Sequence, residues 1–326
     1  MLAAALKKEG KNALAKYILK RLGYAILTIW VVVTLTFIIM KVIPGNPFIS
    51  DKMTKTTLEN LMRFYKLDQP LFIQYLEYLK SVVTFNFGPS MVSATLDANF
   101  YITRGLPVSM QLGVQALLTA LAFGMLLGVV AALNHNRWPD YISIIIAILG
   151  VSVPSFIMSR ILTSFFSLKL GWFPVSGWAS MKSTVLPMIA LAVLPMAQIT
   201  RLTRSSMLEV MGMDYIKTAR AKGISRIALI LRHGVKNASL PIISSLGTIT
   251  TNLVTGSIVI ERIFAIPGMG ESLVKSVGNR DYPVIMAATV VYSIILIALT
   301  LAIDLIYPFI DPRIKIVGGE TVLAEE

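Results

Sequence analysis

Residues Asp214 to Pro241 read DYIKTARAKGISRIALILRHGVKNASLP. This basic, mostly polar stretch lies between two long apolar segments, and we expect such an interruption of a membrane-spanning pattern to meet a partner outside the bilayer. Gly223 predicts two short helices joined at a residue that can adopt positive φ. On the pattern alone, an amphipathic helix held at the membrane surface by anionic lipid is an equally good interpretation.

The composition is that of an integral membrane protein. Of 326 residues, 55% are apolar and 14% are charged, against about 25% charged in a typical soluble protein. A chain of this length and apolarity exceeds the core that one soluble domain supports, whereas a helical bundle in lipid does not. The chain has no cysteine and only two distant histidines, His135 and His233. We therefore expect neither a disulfide framework nor a metal site.

The apolar pattern predicts six membrane-spanning helices of about 20 residues. The first run is preceded by basic residues, as in a signal peptide, but it is too long for one and no small-residue cleavage site follows it. We therefore interpret it as a retained helix. The six predicted spans are Leu22 to Ile43, Val108 to Leu133, Tyr141 to Leu168, Ser183 to Thr200, Leu240 to Ile260 and Val284 to Ile303.

The distribution of lysine and arginine predicts the orientation in the membrane. Residues 201–239 alone carry eight of the 30 basic residues, and residues 1–21 carry six. Since short cytoplasmic segments are enriched in these residues, both termini are predicted to be cytoplasmic. The net charge of +13 then reflects membrane topology and contact with anionic lipid, and we expect no nucleic-acid partner because no soluble basic face interleaved with aromatic residues is evident.

A long extracytoplasmic loop, residues 44–107, follows the first span. It begins with Pro44-Gly45-Asn46-Pro47, which ends the helix, and two later apolar stripes predict short amphipathic helices. These helices either pack on the bundle or lie at the interface. A surface that receives a delivered substrate is the less favoured interpretation.

The third predicted span holds the candidate lining of a transport pathway. Ser152, Pro154 and Ser155 cluster near its middle, where a proline frees a backbone carbonyl and permits a kink. Ordinary helix bending and close packing of small residues explain the same cluster. Arg160 lies deeper, at a cost of about 3 kcal/mol on insertion scales, and either snorkels outward or faces a wet cavity.

The sequence carries none of the common catalytic motifs. The sequence has no G-x-x-x-x-G-K-[ST] phosphate loop, no G-x-S-x-G elbow and no H-E-x-x-H pair. We expect no enzymatic activity, no bound cofactor and no catalytic residue in this chain.

Several motifs in fixed order carry a resemblance to a known family. Tyr215 to Gly223 fits Y-I-x-T-A-R-A-K-G, and residues 231–241 fit L-R-H-x-x-x-N-A-x-L-P. Further matches are Ile260-Glu261-Arg262-Ile263-Phe264, Asn279-Arg280-Asp281-Tyr282-Pro283 and Asp311-Pro312-Arg313. Together they resemble the B-type permease subunit of the dipeptide and oligopeptide importers, which are binding-protein-dependent ABC importers. Lys217-Thr218-Ala219 stands where that family's loop carries E-A-A.

The resemblance implies an all-α type I ABC importer transmembrane fold in a bacterial plasma membrane. It implies four partners besides lipid: a homologous second permease, two ABC ATPases that bind the ATP, and an extracytoplasmic substrate-binding protein. The expected divisions are residues 1–43 (amino terminus and first helix), 44–107 (outer loop), 108–310 (core, with the coupling loop 201–239) and 311–326 (cytoplasmic tail).

The resemblance also implies the function: peptide import by alternating access. Nickel or glutathione import by the same type of machine, and a self-sufficient transporter or channel, are the alternatives. The residues expected to engage an ATPase are Asp214, Tyr215, Thr218, Ala219, Arg220, Ala221, Lys222, Gly223 and Arg226. Among these, Ala219 and Gly223 would be small where the helix meets a groove, and the basic residues would pair with carboxylates.

Overall fold

The computed structural model describes residues 2–42, 55–93, 95–310, 314–317 and 320–323. The predicted turn at Pro44 to Pro47 and the Asp311 to Arg313 motif lie outside these residues. In chain order the elements are α1 (Leu2–Val42), α2 (Lys55–Phe64), α3 (Leu71–Thr84), α4 (Ala98–Leu133), α5 (Trp138–Ser152), α6 (Ser155–Leu162), α7 (Met181–Gly212), α8 (Asp214–Ala221), α9 (Arg226–Ala228), α10 (Lys236–Ala238), α11 (Leu240–Ile263), α12 (Met269–Asn279), α13 (Tyr282–Ile310), β1 (Ile314–Val317) and β2 (Glu320–Leu323).

The chain forms two compact units. The large unit comprises Met1–Leu14, Met110–Ile266 and Leu299–Glu326, and the small unit comprises Ala15–Ser109 and Pro267–Ala298.

Four of the described helical segments are long and apolar enough to cross a membrane: Leu19–Val42, Ala98–Leu133, Met181–Gly212 and Tyr282–Ile303. The pair α5 and α6, extended by a π-helical segment at Thr163–Lys169, makes a fifth if it is counted as one broken span. The apolar part of α11 that qualifies is shorter, Leu240–Thr251. A helical membrane protein is therefore confirmed, with helices at all six predicted positions.

The third predicted span is not one straight helix. Its two halves, α5 and α6, are bent by 110° at a short break. Pro154 lacks a backbone N–H and disfavours the helical conformation at the preceding residue. Val153 accordingly adopts φ −93° and ψ 114°. The sequence predicted a kink here, but the structure turns the chain through more than a right angle.

Helix α7 is the centre of the large unit, with α5, α6 and α11 packed against it. Glycines lie at the close contacts that α4 and α5 make with α7. A Cβ on Gly128 of α4 would lie 2.4 Å from the Cβ of Thr203, and one on Gly124 would lie 2.9 Å from Ile199. A Cβ on Gly150 of α5 would lie 2.9 Å from the Cβ of Ala197. Small residues on α4 and α5 therefore let their backbones approach α7 closely, as is common between membrane helices.

The small unit encloses a core in which the amphipathic helix α3 packs against membrane-spanning helices. The Tyr75 hydroxyl lies 2.7 Å from Thr34 of α1, and the Phe37 ring contacts those of Tyr75 and Tyr78 at 5.3 and 5.4 Å between centroids. Buried Asp281 accepts a hydrogen bond from the Ser90 hydroxyl and one of 3.0 Å from the Met91 backbone N–H. The loop after the first span thus packs on the bundle, which was the favoured interpretation.

The tail departs from the all-α prediction. β1 and β2 form an antiparallel pair in which Ile314 faces Leu323 and Val317 faces Glu320. The sequence signal was present, since two short runs rich in β-branched residues flank Gly318-Gly319.

Candidate functional site

The loop between α7 and α11 projects a short helix, α8, that is seated on the large unit by its apolar face. Ile216 and Ala219 are 1% and 8% exposed, and Leu229 from the next helical segment is 2% exposed. These three side chains form one cluster, against which Val210, Met211 and Ile224 also pack. Because the cluster joins the end of α7 to both limbs of the loop, α8 is held at a fixed position.

Gly223 ends α8 in a Schellman motif. The N–H of Ile224 donates to the Ala219 carbonyl at 3.3 Å, and the N–H of Gly223 donates to the Arg220 carbonyl at 3.0 Å. Gly223 has φ +76°, and a Cβ built there would meet no atom within 4 Å. The glycine is therefore required by backbone conformation rather than by space within this chain. The joint at positive φ that the sequence predicted is confirmed.

The second limb of the loop, residues 226–238, is helical throughout, with a π-helical segment at Leu229–Val235 between α9 and α10. The Ser225 hydroxyl caps its start by accepting from the Ala228 N–H at 3.4 Å. Gly234 lies against α7, where a Cβ would be 3.2 Å from the Met207 methyl carbon. The Asn237 amide donates to the Tyr215 hydroxyl at 2.9 Å. This bond ties the second limb directly to α8.

The solvent-facing side of the loop is basic. Lys217, Arg220, Lys222 and Arg226 are all exposed, and Lys217 pairs with Asp214 at 2.8 Å. Arg220 and Arg226 also line a cavity of about 570 Å³ whose apolar wall includes Leu229. The arrangement presents guanidinium and ammonium groups from a rigid seat, so it suits an acidic groove on a partner protein.

The structure brings all the predicted coupling residues together in this loop. The exposed members of the predicted set are Asp214, Tyr215, Thr218, Arg220, Ala221, Lys222, Gly223 and Arg226. Ala219 differs, because it is turned into the buried cluster. Its small size therefore serves packing inside this chain.

A buried ion pair fixes the chain beside α7 at a point that the sequence analysis missed. Asp140, 1% exposed, accepts two hydrogen bonds from Arg204, from Nε at 2.6 Å and from Nη2 at 2.8 Å. The same carboxylate accepts from the Asn136 N–H at 3.0 Å and lies 3.3 Å from His135 Nδ1. This bidentate pair links the start of α5 to the part of α7 that leads to α8. A carboxylate just before an apolar run was the available signal, but only the fold shows its partner.

The predicted pathway residues gather at the break between α5 and α6. Ser152 is the last residue of α5 and Ser155 is the first of α6, with exposed Pro154 between them. Arg160 is exposed on α6, and its side chain makes no hydrogen bond or ion pair within the described part of the chain. These residues remain predicted lining, since nothing in one chain tests their role.

A second polar surface lies between α7 and α11. Gln198, Arg201 and Ser205 of α7 and Ser245 and Thr248 of α11 line a cavity of about 630 Å³. Their spacing places them on one face of each helix. Polar residues at helical spacing within apolar segments were the signal that sequence reasoning did not use.

Comparison with known proteins identifies relatives along most of the chain. Residues 124–316 match the model of the binding-protein-dependent transport system inner membrane component family, and residues 14–94 match the model of the amino-terminal part of such components. The chain is 49% identical to the dipeptide transport system permease protein DppB of Bacillus subtilis over 93% of this chain and 99% of that one. It is 38% identical to the oligopeptide transport system permease protein OppB of Salmonella typhimurium, over 92% and 99%.

Solved structures show the same fold at lower identity. A chain of the MetNI methionine ABC transporter in inward-facing conformations superposes with a TM-score of 0.55 and 18% identity, covering 65% of this chain and 96% of that chain.

Proposed function

This chain belongs to the family of inner membrane components of binding-protein-dependent transport systems, and we propose that it is the permease subunit of an ATP-driven importer of dipeptides or oligopeptides. The relatives with those substrates in their names align with it over nearly their whole length, so the proposal concerns the whole chain. It is an inner membrane protein, and its relatives are membrane permeases.

Membership of this family implies partner ATPases and a substrate-binding protein. We propose the finer arrangement that the sequence analysis predicted: one homologous permease pairs with this chain, and two ATPases each receive one coupling loop. ATP is bound and hydrolysed in the ATPases. The observation that carries this proposal is the seat of α8, which presents a basic surface on a helix whose apolar side is fully occupied.

In the proposed mechanism, α8 moves as a rigid body with the ATPase to which it is docked. Closure of the two ATPases on ATP brings their docked α8 helices together, and the pathway changes from inward-facing to outward-facing by movement of packed helices. ATP hydrolysis and separation of the ATPases then reverse the movement. The Schellman cap and the Tyr215–Asn237 hydrogen bond keep α8 from pivoting independently, so displacement of α8 is transmitted rather than absorbed.

We further propose six spans with both termini in the cytoplasm, counting α5 with α6 as one span and α11 as another. This orientation places α8 on the ATPase side and the small unit's α2 and α3 outside. Because the chain contains no cysteine, single introduced cysteines report orientation directly. A membrane-impermeant maleimide added to intact cells (outer membrane permeabilised where present) should label Glu77→Cys, and it should label Lys222→Cys only after the inner membrane is permeabilised.

The partner assignment is tested by purifying the tagged chain from its native membrane and identifying associated proteins by mass spectrometry. We expect a second permease and ATPases with the parent chain. The double variant Arg220→Glu, Lys222→Glu should lose the ATPases and keep the second permease, because it reverses charge only on the exposed face of the loop. Lys182→Glu, at the other end of α7, is the matched control. Recovery of a lone folded chain, or equal ATPase recovery with the double variant, would contradict the proposal.

A further inference from the structure

The small unit contains a cavity of about 270 Å³ that the transport cycle described above does not use. It lies at the last turn of α1, where the apolar segment Leu19–Val42 ends. Aromatic side chains form much of its wall. Its polar side chains are those of Lys41, Tyr65, Lys66, Gln74, Glu77, Tyr78, Ser81 and Tyr282.

The Lys41 ammonium lines this cavity with fewer hydrogen-bond acceptors than it has N–H donors. Its ammonium donates to the Gln74 side-chain oxygen and lies over the rings of Phe37 and Tyr282, at 5.6 and 5.5 Å from their centroids. Gln74 is fixed in that orientation, since its amide nitrogen donates to the carbonyls of Leu67 and Gln69. An ammonium has three N–H donors, and the only acceptor that it reaches in the described chain is the Gln74 oxygen.

Tyr78 adds a buried donor. Its side chain is 6% exposed, and its hydroxyl has no hydrogen-bond partner among the residues placed in the structure. Burial raises the pKa of Tyr78, so the phenol keeps its proton and remains a donor. A buried hydroxyl without an acceptor costs about 1–3 kcal/mol, and such a cost points to a missing acceptor.

Four other polar side chains of the cavity already have partners, since the Ser81 hydroxyl donates to the Glu77 carbonyl at 3.0 Å and the remaining three pair as follows. Tyr65 donates to the Ser90 carbonyl at 2.9 Å, and Glu77 pairs with Lys66 at 2.8 Å. That contact lowers the pKa of Glu77 and keeps it ionised and neutralised. The cavity is therefore left with an excess of donors and a positive charge, which selects an anion with several acceptor oxygens.

The neighbouring surface of α1 indicates the rest of the ligand. Leu35, Ile38 and Val42 are 52%, 48% and 73% exposed and lie on one side of α1, next to the side that carries the cavity-lining residues Phe37 and Lys41. An anion in the cavity thus has an apolar track beside it that runs into the membrane. We propose that this cavity binds the phosphodiester headgroup of an anionic phospholipid from the outer surface of the membrane, with an acyl chain along α1.

The proposal is tested with the full-length chain in a mild nonionic detergent, by native mass spectrometry during titration with dihexanoyl phosphatidylglycerol. Lys41→Met keeps the aliphatic stem and removes the charge, and it should weaken binding at least about tenfold, because a charge-assisted hydrogen bond is lost. Tyr78→Phe removes one hydroxyl and should weaken binding about threefold. Lys80→Met, on an exposed position of α3 outside the cavity, is the charge-matched control and should bind as the parent does.

Two further probes identify the source of the phosphate. Dihexanoyl glycerol lacks the headgroup, and it should bind weakly and equally to all variants. Inorganic phosphate should bind more weakly than the lipid, since it gains nothing from α1. Equal binding of the lipid to the parent and Lys41→Met would overturn the site, as would equal binding of dihexanoyl glycerol and the phospholipid. Strong, Lys41-dependent binding of inorganic phosphate without binding of the lipid would overturn the lipid assignment in favour of a free anion. These outcomes do not depend on whether the chain imports peptides.

Discussion

Substitution of Gly223 separates two explanations for a glycine in the coupling loop. In one, the backbone requires positive φ to end α8. In the other, a partner groove excludes any side chain. The structure favours the first explanation within this chain, because φ of Gly223 is +76° and a Cβ there would meet no atom within 4 Å. A substitution there therefore costs backbone energy and no internal steric clash.

The magnitude follows from the residue chosen. A β-branched residue in the left-handed region costs about 1–2 kcal/mol, whereas asparagine visits that region at a smaller cost. Since 1.4 kcal/mol is a factor of ten in an equilibrium, Gly223→Val should lower the equilibrium constant between capped and uncapped loops by about tenfold. Gly223→Asn should leave most loops capped. Both variants should insert and fold, because the buried cluster of Ile216, Ala219 and Leu229 is untouched.

The assay is ATP-dependent uptake of a labelled dipeptide by proteoliposomes containing the assembled importer, with ATPase activity measured in the same preparation. We expect Gly223→Asn to transport at close to the parent rate. Gly223→Val should transport several-fold more slowly for each ATP hydrolysed. Normal coupling in Gly223→Val would refute the argument from the Schellman cap. An equal loss in both variants would assign the glycine to the fit with the partner instead.

Three other substitutions test the packing around this loop. Ala219→Leu overfills the buried cluster, at a cost of about 1–3 kcal/mol, and should lower the amount of ATPase that co-purifies. Ala221→Leu, on the exposed side of the same helix, should lower that amount less. The reverse order would contradict the inward placement of Ala219. Asp140→Ala leaves Arg204, whose side chain is 23% exposed, without its bidentate partner. We expect a loss of about 1–3 kcal/mol, measured as a lower midpoint of thermal unfolding in detergent; an unchanged midpoint would show that the pair is dispensable. Gly128→Ala places a Cβ 2.4 Å from a neighbouring side chain, while Gly113→Ala meets nothing within 4 Å, so only the first should reduce the yield of monodisperse protein on size exclusion.

Local sequence signals predicted the structure of the loop between α7 and α11 well. The break at Gly223, the inward face at Ile216 and the solvated lysines and arginines follow from helical spacing and from the conformational freedom of glycine. All of these are short-range features, which is why they can be read from consecutive residues. The positions of the membrane-spanning helices were equally accessible, because a run of apolar residues is a local property.

Features that depend on distant residues were not predicted. Nothing near Asp140 in the sequence identifies Arg204 as its partner, and nothing near Gly128 identifies Thr203 as its close contact. The length of α7 was underestimated for a related reason. Its apolar run ends near Thr200, but the helix continues to Gly212 because Thr203, Ser206 and Met207 are buried by packing. The 110° bend at Pro154 also exceeds what a proline alone implies, since tertiary contacts determine how far a kinked helix opens.

The two ends of the coupling loop explain how a movement at α8 can reach the pathway. α7 enters the loop and is joined to α8 by the cluster around Ile216. α11 leaves the loop after α10, and α10 is joined to α8 by the Tyr215–Asn237 hydrogen bond. The polar cavity lined by Gln198, Arg201 and Thr248 lies between these same two helices. A displacement of α8 therefore moves both walls of this cavity first. The helices of the α5–α6 break follow, because both pack against α7 and α6 also packs against α11. For this reason we expect substitutions that enlarge side chains in this cavity, such as Ser245→Phe, to slow transport without releasing the ATPases. The predicted lining at the α5–α6 break should respond to ATP through the packing of α5 and α6 on α7 and of α6 on α11. Cross-linking of introduced cysteine pairs with and without ATP measures this difference, and an ATP-dependent change at the break with none between α7 and α11 would reverse the assignment.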